Sequence, residues 1–434
     1  MTRERRNLSA LIGILCVIMG IMINKLTLEK TVVSDGRIES TQHNIVIIVI
    51  QLALVGFGLY LLIKRPRIHI TQVLLMACSI LVTILMIELA LQGFYRPKPI
   101  KSGWKAEVPE SQKNQLGFRG QPFRYTDEDY VIVLLGDSHV KADACSFGWM
   151  PERRLQHHLN AGGKRVKVFS LAASGYGQDQ QLLVLQEYYQ KGFRADLVLL
   201  WQSLVNDIYD NMFPTHGIPK PTFWLENGEL RGPQELMGQE LASPSIKLLA
   251  LWKKVFPQSR DGEWEEKYLP EPYTPMLEYD GPVNVSWQEL WDNNHYGIRH
   301  QHLDSEKSLL AFALTPRSRR MQYGLDLTRK LYQEIEKLVS SHGGELIIFR
   351  YGKEPVEMAE DAVYLLNGKY YRTSRLQALE NANYLNDGFK HYTIPVTIEE
   401  WRVGPEDGHL NEHATDQVMR DLAQQIGGLI PRRE

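Results

Sequence analysis

Two kinds of hydrophobic pattern divide the chain. Over the first 95 residues the apolar positions run on without periodicity, in segments 8–24, 45–63 and 70–91. The second is interrupted only by Gln51, and the third carries one charge, Glu88, near its end. Crossing a bilayer takes roughly 20 apolar residues. The second and third segments meet that length, and Asn24 and Lys25 at the end of the shorter first one are placed to snorkel to the interface. A single run of this kind also suits a buried core helix. Three in succession favour a membrane anchor over residues 1–95 with three transmembrane helices.

Beyond a Lys-, Gln-, Gly- and Pro-containing linker and lead-in at 96–125, the pattern changes. Short apolar runs now alternate with stretches of helical period. Tyr130–Leu135, Arg165–Leu171, Asp196–Trp201, Glu345–Arg350 and Tyr392–Ile398 read as strands. Runs such as Val131-Ile132-Val133-Leu134-Leu135 lack polar alternation, as strands buried on both faces do. Between them, Pro151–Asn160, Gln178–Gln190 and Leu325–Val339 read as helices. A last one over Asn411–Ile426 sets Val418, Leu422 and Ile426 on one face. Such alternation predicts an α/β domain over 126–434, with a mostly parallel five-stranded sheet covered on both sides.

Residues 212–320 break the rhythm. Glu226-Asn227-Gly228 between Phe223-Trp224-Leu225 and Glu229-Leu230 is a hairpin signal. This Trp-, Pro- and Tyr-containing stretch reads as an insertion over the sheet's edge, either a lid or substrate wall or plain surface packing.

Charge refines the picture in two ways. The net charge of −2 gives no electrostatic support for a nucleic-acid partner. Its local distribution orients the anchor. Arg3, Arg5 and Arg6 precede the first segment, and Lys64, Arg65 and Arg67 fill the short loop between the second and third. The positive-inside rule places both in the cytoplasm, and three crossings then put the domain on the periplasmic or extracellular side. No small-residue cleavage pattern follows the first segment, so it reads as a retained anchor. Of Cys16, Cys78 and Cys145, one lies beyond the anchor, which leaves no intrachain disulfide there.

Chemistry in open α/β sheets gathers beyond the strands' carboxyl ends, and each end here offers a polar group. Gly136-Asp137-Ser138 follows the first strand. Taken alone it reads more readily as a turn and helix N-cap than as a site. Ala173-Ser174-Gly175-Tyr176-Gly177 follows the second strand, with backbone N–H groups at a helix mouth. Val205-Asn206-Asp207 follows the third, and Glu406-Asp407-Gly408-His409 precedes the last helix from an expected loop. A serine hydroxyl is a weak nucleophile that needs an adjacent base, and histidine is suited to that task. Asp407, two residues away, is placed to orient His409 through Nδ1–H. Ser138 N–H, Gly175 N–H and the Asn206 amide supply candidate donors for an oxyanion.

Gly136-Asp137-Ser138, Gly175, Asn206-Asp207 and Asp407-x-His409 resemble, in order, the four sequence blocks of the SGNH/GDSL hydrolase family. The resemblance spans roughly residues 114–428. Asn114-Gln115-Leu116-Gly117-Phe118-Arg119-Gly120 is similar to the lead-in of its membrane-anchored bacterial members. It implies a flavodoxin-like three-layer α/β/α domain. Ser138 would be the nucleophile, Asp407 and His409 the rest of the triad, and Gly175 and Asn206 would line the oxyanion hole. It also implies ester chemistry without a metal or cofactor. Three positions depart from the pattern. Leu204 stands where a glycine often precedes the block-three Asn, Ala414 stands where a glycine often follows the His, and the acid three before the His is Glu406. Asp407 is preferred because Glu406 has the longer side chain to control.

Other residues carry weaker signals. His295, His300, His302 and Asp304 fit no standard zinc spacing. His157 and His158 read as surface or packing residues, Cys145 has no activating neighbour in sequence, and Glu88 fits the outer interface. Asn284-Val285-Ser286 matches a glycosylation sequon, meaningful only in a eukaryotic secretory host. His139 reads as pocket-lining and too close to Ser138 to act as its base. The expectation is therefore a membrane-anchored serine esterase cleaving an acyl ester through acyl-Ser138. By topology and family analogy its substrate would be O-acetyl on a cell-surface or exported polysaccharide. An O-acyltransferase with a sugar hydroxyl acceptor, a lipid esterase or lysophospholipase, and a non-catalytic glycan-binding scaffold are the alternatives.

Overall fold

The computed structural model describes residues 2–24, 27, 41–66, 69–94, 108–213, 220–234, 269–283, 303, 306, 309–352, 361–366, 368–404 and 407–431. The chain divides into two compact units, one holding residues 1–102 and one holding 103–236 and 263–434.

In the first unit the three apolar segments are helices: α1 (Thr2–Met22), α2 (Thr41–Lys64) and α3 (Ile70–Phe94). Among the described residues one of them, over Ile47–Lys64 with mean hydropathy 2.2, is long and apolar enough to cross a membrane, and Ser9–Met22 is a shorter apolar helix. Small residues let α1 and α2 meet at backbone distance. A Cβ on Gly13 would fall 2.8 Å from the Gly58 carbonyl oxygen, and one on Gly58 would fall 2.7 Å from that of Gly13.

The second unit is an α/β domain. Its sheet comprises β1 (Tyr130–Gly136), β2 (Val166–Ala172), β3 (Leu197–Trp201), β6 (Glu345–Tyr351) and β9 (His391–Ile394), all parallel, in the order β2-β1-β3-β6-β9. This 2-1-3-4-5 order is flavodoxin-like, with its switch point between β1 and β3.

The strands alternate between two cores. Val131, Val133, Leu135, Val198, Leu200 and Ile348 face one layer. There they meet α6 (Gln178–Gln190), α7 (Leu204–Met212) and α8 (Arg319–Ser341) through Leu185, Ile208, Leu331 and Ile335. Ile132, Leu134, Leu197, Leu199, Ile347 and Phe349 face the other, against Leu155 and Leu159 of α5 (Pro151–Ala161) and Val418, Leu422 and Ile426 of α10 (Glu412–Gly427). Each such side chain, fully buried, contributes roughly 1.5–3 kcal/mol. The five expected strands are all present. The last is shorter than expected because Pro395, following Ile394, brings no N–H to the ladder.

Other features also differ from the sequence reading. Residues 108–125, read as linker and lead-in, belong to the domain from 108 onward, with Leu116, Phe118 and Phe123 buried in the first core. The expected loop around His409 is a short hairpin of β10 (Arg402–Gly404) and β11 (Asp407–Leu410). Elements this short and polar leave no period to detect. A second hairpin, β7 (Ala362–Leu366) with β8 (Lys369–Thr373), and α9 (Arg375–Asn386) lie before β9 and were not anticipated.

The Asn227-Gly228 hairpin forms as expected, between β4 (Thr222–Glu226) and β5 (Glu229–Gln234), with φ of 53° and 78° at the two turn residues. The described parts of the insertion are not an outer layer: Phe223, Tyr273, Leu303 and Leu310 are buried in the first core. His295, His300, His302, Asp304, Asn284-Val285-Ser286 and Glu406 lie outside the described residues.

Candidate active site

Ser138 stands two residues beyond β1, at the start of the one-turn helix α4 (Ser138–Lys141). The Asp137 carboxylate caps that turn by accepting the His139 N–H at 2.9 Å. The turn is fixed from behind by Arg119. Its guanidinium donates to the carbonyls of Lys141 (3.0 Å), Ala142 and Cys145 (2.8 Å), following the chain through the left-handed Ala142. Asn114 ties the same lead-in to the sheet: its amide donates to Ser170 O at 2.9 Å and its oxygen accepts from Leu116 and Phe118 N–H.

The β10–β11 hairpin brings the other half of the site. His409 Nε2 lies 2.8 Å from Ser138 Oγ, and His409 Nδ1 lies 2.5 Å from Asp407 Oδ1. An ionised carboxylate can only accept, so Nδ1 carries the proton and Nε2 offers its lone pair to the serine hydroxyl. The same Asp407 oxygen accepts the His409 backbone N–H at 3.0 Å, which fixes the acid against its own histidine. Burial pushes the Asp407 carboxyl up. The bonds from the His409 backbone and ring outweigh that push, and the group ends below the usual carboxylate range. Asn411 then caps α10 by accepting the Ala414 N–H at 2.9 Å. Its amide donates to the carbonyls of Glu400 (2.6 Å) and Arg402 (3.1 Å), so one side chain joins the helix to the hairpin carrying His409.

Gly175 lies in the loop between β2 and α6 with φ of 71°, where a side chain would be strained. Asn206 is in the first turn of α7, exposed, beyond the end of β3. Both loops leave the carboxyl edge of the sheet, as the Ser138 loop does. Leu204, one of the three departures from the SGNH/GDSL blocks that the sequence resembles, is fully buried as the first residue of α7.

His139 sits closer to the site than its sequence position indicates. Its ring centroid is 5.0 Å from that of His409, 5.1 Å from Tyr351 and 5.7 Å from the stacked Trp201. Burial first, then the neighbouring His409, lowers its pKa against the opposing pull of Asp137 and Asp407, so it is held towards the neutral form. Cys145 is buried, and burial raises its thiol pKa. His158 pairs with Asp416 at 2.7 Å, as does Arg154 at 2.5 Å, between α5 and α10. Of the polar groups around the site, Arg119 was legible only as part of a motif, and its role needed the fold.

No protein-family model matches the chain, and no curated protein matches it. Among the solved structures to which the chain is similar are two proteins named as an esterase and a lipase. One is a protein from Agrobacterium tumefaciens str. C58 assigned as an arylesterase, at 12% identity and a TM-score of 0.31, covering 69% of this chain and 99% of that one. The other is the lipase Lip_vut3 from the goat rumen metagenome, at 9% identity and a TM-score of 0.32, covering 70% of this chain and 99% of that one.

Proposed function

We propose that the protein is a serine esterase of SGNH/GDSL type, acting through an acyl-Ser138 intermediate. The observation that carries this reading is the unbroken chain of hydrogen bonds from Ser138 Oγ through His409 to Asp407. Ser138 Oγ attacks the ester carbonyl carbon while its proton passes to His409 Nε2. The negative charge moves to the carbonyl oxygen, which the N–H groups of Ser138 and Gly175 and the Asn206 amide stabilise. As the tetrahedral intermediate collapses, His409 returns the proton to the departing alcohol oxygen. Water, activated by the same imidazole, then releases the acid. Asp407 holds the tautomer throughout and stabilises the imidazolium.

The three apolar helices are the proposed anchor, with the N-terminus and the Lys64–Arg67 loop in the cytoplasm and the domain outside. That placement favours O-acyl groups of a cell-surface or exported glycan as substrate. The full chain in detergent should hydrolyse 4-nitrophenyl acetate, and a fluorophosphonate should label Ser138. Ser138→Ala should lose both. Acceptor-dependent acyl transfer in place of hydrolysis would move the reading to an acyltransferase. Turnover that survives Ser138→Ala would overturn both. Alkaline phosphatase fused after residue 100 should be active, and an inactive fusion would reverse the topology.

A further inference from the structure

Between the helices that follow Gly175 and hold Asn206 lies a buried polar layer that the proposed chemistry does not use. Lys220, from the first residues of the insertion, is 3% exposed. Its ammonium lies 2.5 Å from Asp179 Oδ2, in the first turn of α6, and donates also to the Asp210 carbonyl in α7. A second bridge runs beside it. The Asn211 amide donates to Gln178 Oε1 at 2.6 Å and to Thr328 Oγ1 at 2.9 Å, and its oxygen accepts the Asp179 N–H at 3.3 Å. Gln178, Asp179 and Asn211 are fully buried. Asp207 Oδ2 accepts the Ser203 N–H at 3.0 Å and so closes the start of α7.

An ammonium is costly to bury, and a hydrophobic residue would fill the same volume without that cost. Lys220 makes its bonds to one helix that follows directly from the Gly175 loop and to another whose first turn holds Asn206. Both contacts are therefore aimed at the relative position of two elements, not at filling space.

We propose that Lys220 is a positioning residue: it clamps α6 to α7 and thereby sets the spacing between the Gly175 N–H and the Asn206 amide. The role in catalysis rests on the reading of those two groups as oxyanion donors; the clamp itself does not. It assigns the start of the insertion to the active site's framework.

Lys220→Met alone leaves Asp179 buried without its partner and is expected to unfold at lower temperature. The informative protein is therefore Lys220→Met combined with Asp179→Asn, in the full chain in detergent. Its unfolding midpoint should recover part of the loss, since the Lys220–Asp179 pair is removed as a unit while the buried Asp210 carboxyl beside it stays. Its kcat on 4-nitrophenyl acetate should stay at least about tenfold below the parent, with KM within about twofold, because displaced donors act on the transition state. Amide hydrogen exchange over residues 175–181 and 204–212 should quicken in both segments together. A double variant with recovered stability, parental kcat and unchanged exchange would overturn the proposal. A parent chain without Ser138-dependent turnover would overturn the esterase reading instead, and the exchange comparison would still decide whether Lys220 is a clamp.

Discussion

His409 Nε2 and Ser138 Oγ lie 2.8 Å apart although 271 positions separate them in sequence. The approach depends on two short elements, a one-turn helix after β1 and a hairpin before α10. Each is held by side chains outside the Ser138–His409–Asp407 set. Arg119 holds the loop after Ser138 from one side, and Asn411 holds the His409 hairpin from the other. The site is therefore sensitive to residues well outside the catalytic motif.

The acid of the proposed triad can be assigned by comparing neighbours. Asp407 makes both its contacts to His409, so Asp407→Asn should lower kcat by on the order of 10³–10⁴ by favouring the wrong tautomer. Glu406→Gln should leave kcat within a few-fold. Steady-state kinetics on a chromogenic acetate decide it. Loss of turnover in Glu406→Gln alone would reverse the assignment.

Asn206 is the proposed oxyanion donor that can be removed without touching the backbone. Asn206→Ala should lose about 3–4 kcal/mol of transition-state stabilisation, read as a fall in kcat with little change in KM. Fluorophosphonate labelling of Ser138 should slow in parallel. A variant that changes KM alone would place Asn206 in substrate binding instead.

Arg119 should matter for stability as much as for rate. Its guanidinium satisfies the carbonyls of Lys141, Ala142 and Cys145 at once, and a buried acceptor left unpaired costs about 1–3 kcal/mol. Arg119→Ala should therefore lower the unfolding midpoint and reduce kcat. Arg119→Lys should recover only part of each, because an ammonium cannot reproduce the planar fork. Full recovery by lysine would show that charge alone matters there.

These expectations draw on different depths of the sequence. Val131 to Leu135 and Leu197 to Trp201 are long apolar runs, and their strand character and burial were legible from period and composition alone. So was the Asn227-Gly228 turn, whose residue types tolerate positive φ. Ser138, Gly175, Asn206, Asp407 and His409 stood out as a candidate set because each follows or precedes a recognisable element, and hydrogen bonds join Ser138, His409 and Asp407. The hairpin around His409 was not, because three- and four-residue strands of mixed polarity carry no period. Nor was the Lys220–Asp179 pair. Its partners are 41 positions apart, and nothing local marks a lysine as buried. Long-range polar contacts of this kind are set by the packing of α6 against α7, which the pattern of either helix alone does not specify.

Glu152 gives the fold a pH dependence that is separate from catalysis. It is fully buried in α5, where Oε1 accepts the Gln121 N–H at 2.6 Å and Oε2 accepts the Ser170 N–H at 2.8 Å. Burial pushes its carboxyl from 4.5 up to about 7, against the pull of those hydrogen bonds. A carboxyl with a raised folded-state pKa binds its proton more tightly when folded. Its contribution is complete below pH 4.5 and is lost as pH rises through about 7. The size of the loss is about 3–4 kcal/mol, at roughly 1.4 kcal/mol per pKa unit. Glu152→Gln cannot ionise, but its amide can accept only one of the two N–H groups, so the variant should be the less stable protein at pH 4.5. As pH rises to 7.5 the parent should lose stability while the variant stays level, and the gap should narrow or reverse. Unfolding midpoints by intrinsic tryptophan fluorescence across that range test this. Parallel pH profiles for the two proteins would mean that Glu152 does not take up a proton in the folded state.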